Sequence, residues 1–412
     1  MRRVVVTGLG AITPIGNNVT DMWNAVEQGV CGIAPITHYD TTDRKVTLAG
    51  EVKNFNAEDY LDKKDVRKMD KFTQFAMVAA KEAMTDSGLD MEKEDASRCG
   101  IIVSSGIGGI ETIQSECLKG EEKGYDRVSP YFIPMGIINM AAGQIAIAHG
   151  FKGMCNAVVT ACAGGTNAIG DAFHHIRDGY AEVMMCGGAE ASITPFGMGG
   201  FTSLKALSTA TDPNRASIPF DAERSGFVMG EGAGMLVLEE YEHAVARGAH
   251  IYCEVVGYGA NCDAHHMTAP LEDGSGAAAC MEVALKDAEI NPEDITYINA
   301  HGTSTPLNDK GETRAIKLAF KEAASKVMVS STKGMTGHML GAAGAVEGIM
   351  IALSIHKDFV PATINYQVPD ENCDLDIVPN VGRKATVNYA MSNSLGFGGH
   401  NASIIFKRYV QI

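Results

Sequence analysis

Two stretches of this chain are written to one plan, and that repetition narrows the possible folds more than any other feature. RRVVVTGLGAIT near the start and IYCEVVGYGANCD from residue 251 each run a β-branched strand into a Gly-x-Gly turn. AVVTACAGGTNAIGDAFHHIRDGYAEV in the first half is answered by VMVSSTKGMTGHMLGAAGAVEGIMIALSIHKDFV in the second: strand, small-residue turn, long apolar helix. Strands alternating with helices at this spacing imply an α/β fold. Two similar halves sharing one core would bury the Ala/Gly-rich helix of each between sheets, giving a five-layered α-β-α-β-α core. The division falls near Gly248, after the charged helix EEYEHAVARG, and separates residues 1–250 from 251–412. Insertions at roughly residues 30–72 and 190–225 have the Pro, Asp and Gly content of loops and short helices.

The bulk properties exclude several function classes. At 412 residues and 45% hydrophobic, the chain can bury a large core. A net charge of −16 argues against nucleic acid as a general partner. Ten cysteines are scattered without a CxxC pair or a Cys/His cluster at zinc spacing, so no metal site is expected, and free thiols in this number fit a reducing cytosol. The apolar run Val4 to Val6 is too short for a secretion signal, and no stretch reads as a membrane span of roughly 18 apolar residues. A soluble cytoplasmic protein without membrane association is expected. Gly8-x-Gly10 looks like the start of a dinucleotide-binding turn, but Thr13 and Pro14 stand where the third glycine and the helix should be. Gly257-x-Gly259 fails the same way at Cys262, so both pairs are expected to be strand-end turns of the repeat. SSGIGGI (104–110) lacks the Gly-Lys-Ser/Thr ending of a P-loop.

Cys162 carries the chemistry. It lies between a β-branched run (Val158 to Thr160) and a helix whose Ala168, Ile169, Ala172, Phe173 and Ile176 form one apolar stripe. A thiol at a helix start meets free N–H groups and the positive end of the macrodipole, which favour the thiolate and predict a lowered pKa. Ala161, Ala163, Gly164 and Gly165 leave room for a carbonyl to approach. Polar partners come from three further turns: YINAHGTSTPLND with His301, SSTKGMTGHMLGAAGAVE with Lys333, His338 and Glu347, and GFGG (396–399). His301 and His338 both follow apolar strands into small-residue turns, as Cys162 does. One nucleophile and two imidazole donors suit a thioester carbonyl or an enolate oxygen.

TACAGGTNA, HGTSTPLND, KGMTGHMLGAAGAVE and NSLGFGGHN together resemble the signature set of the β-ketoacyl-acyl-carrier-protein synthases, condensing enzymes of the thiolase-like superfamily. The resemblance spans nearly the whole chain and is strongest to the elongating enzymes of bacterial type II fatty-acid synthesis. It implies that Cys162 accepts an acyl chain from acyl carrier protein, with the N–H groups of Cys162 and Phe397 as oxyanion hole. It assigns His301 and His338 to the malonyl thioester carbonyl and enolate, Lys333 to their electrostatic support, and Phe397 to a gate. Glu347 becomes a buried structural acid with a monovalent cation nearby; no other cofactor is implied, since the phosphopantetheine arm belongs to the carrier protein. Thr303 and Thr305 would contact that arm, with Thr268 in the entrance loop DAHHMTAP and Gly398 in the gate turn as further substrate contacts. Ile107 of one protomer and Phe132 and Ile133 of its partner would line the acyl pocket of a homodimer.

The motifs also separate relatives. Thiolases carry a second cysteine near the C-terminal turn, absent from GFGGHN, and initiating synthases carry Asn where His338 stands. A non-catalytic chain-length subunit would lack Cys162. A polyketide or specialised fatty-acid ketosynthase shares the motifs and is the alternative. Lys64, Arg67, Lys68 and Lys71 are spaced i, i+3, i+4, i+7 and predict one basic helical face, which would steer an acidic carrier protein to the site.

Overall fold

The repeated strands form two five-stranded sheets with one strand order. The first half supplies β1 (Val4–Ile12), β2 (Cys99–Ser104), β3 (Cys155–Asn156), β4 (Val183–Glu190) and β5 (Gly232–Glu240). The second supplies β6 (Cys253–Cys262), β7 (Tyr297–Asn299), β8 (Met328–Ser330), β9 (Tyr389–Gly396) and β10 (His400–Lys407). In the computed structural model, which describes residues 1–410, the first set is ordered β3-β2-β4-β5-β1 and the second β8-β7-β9-β10-β6. Each strand thus takes the place held by its counterpart five strands earlier. Pair directions repeat as well: β2 runs parallel to β3 and β4, and β7 to β8 and β9, while β5 and β10 are antiparallel to both neighbours. The sheets join where Val4–Val6 of β1 meets Cys253–Val255 of β6.

Six helices complete five layers: α1 (Lys71–Ser87), α2 (Met140–His149), α3 (Gly164–Arg177), α4 (Ser275–Asp287), α5 (Pro306–Phe320) and α6 (Ala343–Lys357). Helices α3 and α6 touch both sheets and fill the middle layer; α1 and α2 cover one outer face, α4 and α5 the other. Side-chain alternation along each strand feeds the layers on either side. Leu236 and Leu238 of β5 join the middle core with Ala168, Ile169, Ala172, Phe173 and Ile176 of α3, whereas Met235 and Val237 join the core beneath α1. A third core lies beneath α4 and α5.

Two sequence expectations change here. Gly8, Gly10, Gly257 and Gly259 lie inside β1 and β6, not in strand-end turns. A Cβ on Gly10 would sit 1.9 Å from the Ala79 carbonyl oxygen of α1, and one on Gly259 would sit 2.2 Å from that of Cys280 in α4. The glycines let each outer helix rest directly on its sheet, the same solution in both halves. Second, the run Leu340–Lys357 is long and apolar enough to pass for a membrane span, with a mean hydropathy of 1.2. Its composition answers to burial between two sheets rather than to lipid, since 89% of it is buried.

The basic helical face is also not formed. The helix Lys63–Val66 ends after one turn, and Asp70 restarts the chain by capping α1 through the N–H of Phe72. Lys71 turns away from solvent: its Nζ lies 3.1 Å from buried Glu231 and 2.7 Å from His38 Nε2. Lys64, Arg67 and Lys68 remain on the surface, with Lys68 3.3 Å from Asp65. Asp70 is the residue that breaks the face, because a capped N-terminus cannot continue the preceding helix.

Candidate active site

Strand pairing of β3 stops at Asn156, so the strand expected over Val158–Thr160 is not formed. The chain instead peels off the sheet edge over 157–160 and turns sharply at Ala161, whose φ of 50° lies in the left-handed region unusual for a residue with a side chain. One 3₁₀ turn, Ala161–Ala163, presents Cys162 before α3 begins at Gly164. The β9–β10 hairpin presses against this elbow at Gly396. A Cβ there would lie 2.8 Å from the Thr160 carbonyl oxygen and 3.2 Å from the amide nitrogens of Cys162 and Ala163. That approach carries Phe397 to the thiol, and the N–H groups of Phe397 and Cys162 lie close enough to the sulfur to favour its thiolate weakly.

His301 leaves the end of β7. Its N–H and that of Gly302 each donate, at 2.8 Å, to the Glu312 carboxylate of α5. His338 follows the one-turn helix Lys333–Thr336; its N–H donates to the Val228 carbonyl at 2.7 Å, and its own carbonyl accepts from Gly230 at 2.9 Å. The two imidazoles meet edge to face with centroids 5.2 Å apart. Both are buried, 3% and 2% exposed, and their Nδ1 atoms have no partner among the described residues. Burial holds both well below the usual 6.5, with the Lys333 charge adding to it, so the rings are neutral at physiological pH. Lys333 itself is 1% exposed and ion-paired to Glu347 of α6.

The thiol departs from the sequence expectation. Burial pushes Cys162 up to about 12; Lys333 pulls it down, Glu190 pushes it up, and the two backbone N–H groups pull down only weakly. Desolvation of the sulfur outweighs the helix start, because a thiolate loses most of its hydration there while the first turn of α3 supplies only partial charges. Burial therefore favours the protonated form of the Cys162 thiol.

A cavity of about 420 Å³ opens beside these groups and is lined by Cys162, His301, His338, Phe397, Thr268, Thr303 and Thr305. The Oγ1 atoms of Thr303 and Thr305 lie 2.8 Å apart at its rim. Other expected contacts stand elsewhere. Ile107 packs behind Cys162, in the apolar cluster with Ile193, Met198 and Leu340, rather than on the open cavity. Gly398 gives its N–H to the Met267 carbonyl at 2.8 Å and so offers no free donor to a substrate. Phe132 and Ile133 do not reach Cys162 within one chain; Ile133 is 60% exposed.

Two acids went unnoticed in the sequence. Glu312 cradles the His301 turn, and burial pushes its carboxyl up to about 7. Glu190 ends β4 and is fully buried. A charged residue closing the apolar strand VMMCGGAE was the available signal for the second; nothing in the helical context of Glu312 marked it out. Among the described residues no group of three or more His, Cys, Asp or Glu is placed to hold a metal. Glu347 Oε2, Asn299 Oδ1 and Ser392 Oγ are buried and without hydrogen-bond partners among the described residues. Asn299 and Ser392 are register partners on β7 and β9, and Tyr297, on the same face as Asn299, feels the Glu347 charge. Three buried unpaired oxygens suit a hard monovalent cation.

The comparisons agree with this geometry. The family model for the β-ketoacyl synthase N-terminal domain matches residues 1–244, and that for the C-terminal domain matches residues 252–367. A 3-oxoacyl-[acyl-carrier-protein] synthase 2 from Staphylococcus aureus (strain COL) is 53% identical over 408 residues, 99% of each chain. One from Synechocystis sp. is 52% identical over 409 residues, 99% of this chain and 98% of that one. Among solved structures, a β-ketoacyl synthase from Burkholderia phymatum superposes with a TM-score of 0.92 at 34% identity over 100% of both chains. A type II polyketide ketosynthase, solved with its acyl-carrier protein and bound to the hexaketide, does so with 0.92 at 38% identity over 99% of this chain and 100% of that one. Sequence, fold and site place this chain in the β-ketoacyl synthase family.

Proposed function

We propose that this chain catalyses the decarboxylative Claisen condensation of fatty-acid elongation. One observation carries the reading: a thiol under two backbone N–H donors faces the same cavity as two neutral imidazoles. In the first step Cys162 Sγ loses its proton and bonds the acyl carbonyl carbon, and the carrier's pantetheine thiol departs with a proton. The Cys162 and Phe397 N–H groups hold the oxyanion in between. In the second step the malonyl C–C bond breaks, CO2 leaves, and its electron pair becomes an enolate whose oxygen receives the N–H groups of His301 and His338. The enolate carbon attacks the acyl carbon, the C–S bond to Cys162 breaks, the sulfur takes up a proton from solvent, and β-ketoacyl carrier protein is released. Neutral imidazoles suit this step, because decarboxylation supplies the carbanion without a strong base.

Lys333, paired with Glu347, adds its charge to the burial that keeps both rings neutral. Thr303, Thr305 and Thr268 receive the pantetheine arm, and Phe397, its ring centroid 6.2 Å from that of Phe201, gates the entry. Glu347, Asn299 and Ser392 would hold a structural monovalent cation that fixes α6 against β7 and β9. Residues 1–250 and 251–412 are read as the two units of a duplication, supported by their common strand order.

Acyl carrier protein is the partner, supported by the names of the curated relatives and by the carrier-bound neighbour. Lys64, Arg67 and Lys68 form its docking patch. A homodimer is supported by the short open strand β3 at the sheet edge and by exposed Val159, Ile133, Ile137 and Ile147. Ile133 and Phe132 of the partner would then complete the wall behind Cys162. Fatty-acid rather than polyketide elongation is favoured by 53% identity to the former against 38% to the latter.

The test is intact-mass analysis after exposure to acyl carrier protein thioesters. One adduct is expected on the parent protein and none on Cys162→Ala. Labelling that survives in the variant rejects the assignment.

A further inference from the structure

On the side of Cys162 away from the histidine-lined cavity, Ile107 of the loop Ser105–Ile107 packs against the apolar cluster around the sulfur. One buried carboxylate holds that loop. Glu190 accepts the N–H of Gly106 at 2.6 Å, the N–H of Ile107 at 3.2 Å and the hydroxyl of Ser105 at 3.2 Å. The same carboxylate takes the N–H of Gly341 at 3.1 Å, in the turn leading from His338 into α6, and the hydroxyl of Ser192 at 2.9 Å. A Cβ on Gly341 would sit 2.4 Å from the Gly106 nitrogen, so the two segments are pressed together with Glu190 joining them. All five contacts are donations to Glu190, and no Lys, Arg or His is among its partners. A group with five donors and no cation is an acceptor-only anchor, and the loop it anchors carries Ile107 against the apolar cluster of Cys162.

We propose that Glu190 is a positioning residue that sets acyl-chain selectivity, by fixing how far the Ile107 loop yields when a chain occupies the wall behind Cys162. A rigid loop admits only chains whose volume the wall accommodates, and a loop released at one of its three tethers adapts to longer ones. The carboxylate also lies within electrostatic range of the thiol, where it opposes the thiolate that Lys333 favours. The proposal rests on Cys162 being the acylated residue.

The test is Glu190→Gln, which keeps the shape but turns an N–H₂ group toward backbone N–H donors. Acylation of Cys162 is followed by intact mass across carrier thioesters of increasing chain length, and iodoacetamide alkylation of Cys162 is followed against pH. The long-to-short acylation ratio is expected to rise at least tenfold. The alkylation midpoint is expected to move to lower pH, since the Glu190 charge that its donors hold against the upward push of burial is gone while Lys333, His301 and His338 are unchanged. A purely packing role would leave that midpoint where it is. A folded variant with an unchanged ratio and midpoint overturns the proposal. Should Glu190→Gln not fold, Ser105→Ala removes one of the loop's three tethers and leaves the backbone contacts. It is expected to shift the ratio a few-fold in the same direction, and an unchanged ratio overturns the proposal. Loss of labelling in the parent protein, or its survival in Cys162→Ala, would instead fail the assignment of the nucleophile.

Discussion

Gly396→Ala isolates the geometry of the oxyanion hole from the rest of the site. Gly396 has an ordinary φ, so alanine adds no backbone strain, and its whole effect is the methyl group. That methyl would stand 2.8 Å from the Thr160 carbonyl oxygen and 3.2 Å from the Cys162 nitrogen. Ordinary contact requires the gate hairpin to withdraw from the elbow by about 0.6 Å, because neither neighbour is a side chain that can swing away. The hairpin carries the Phe397 N–H, so that donor moves off the sulfur and off the oxyanion that forms beside it. Loss of one such donor costs roughly 10²–10³ in rate, and a displacement of this size costs part of it. A 10- to 100-fold fall in Cys162 acylation follows, about 1.4–2.7 kcal/mol of transition-state stabilisation. Single-turnover acylation from a carrier thioester measures it, with a melting curve alongside. Gly199→Ala, where a methyl meets nothing within 4 Å, serves as the control. Parental acylation in Gly396→Ala would refute the argument that the hairpin places the donor, and a matching collapse in melting temperature would assign the loss to the fold instead.

Three further outcomes are expected. His301→Ala and His338→Ala should slow CO2 release from malonyl carrier protein by roughly 10²–10³ while acylation of Cys162 changes little; equal losses in both half-reactions would displace the histidines from the enolate. Lys64→Glu with Arg67→Glu should raise KM for acyl carrier protein at low salt, fading as salt rises, with small pantetheine thioesters unaffected. Lys71→Glu should lower Tm instead, because it opposes buried Glu231. Stability should fall as pH drops. His301 and His338 titrate well below the 6.5 of an unfolded histidine, so the unfolded chain binds protons first. Their contribution is complete above about pH 6.5 and is lost below it, about 1.4 kcal/mol per histidine by pH 5.5. Urea unfolding at pH 7 and 5.5 should show that pH dependence reduced in His301→Gln/His338→Gln; an unchanged dependence would mean that the rings already carry charge.

Much of this protein was legible along the chain. Small-residue turns after β-branched runs marked Cys162, His301 and His338, because a reacting group at a strand end needs room and free backbone donors, and those demands leave local marks. The repeat carried the five-layer fold for the same reason: each half solves one packing problem with the same local pattern. The errors came where distant segments meet. Lys71 reads as one member of a basic stripe until Glu231, 160 positions away in sequence, takes its charge. Gly8 and Gly10 read as a turn until α1 lies across them.

The thiol, above all, belongs to the tertiary structure. A helix start favours the thiolate, and that preference is local and visible in the sequence. Burial from every side opposes it, and burial is a sum over segments that only the fold brings together. Glu312 went unread for the same reason, and Glu190 left only a charge at the end of an apolar strand. A carboxylate becomes an anchor only when donors from other segments converge on it, and convergence leaves no mark on the residues that flank it.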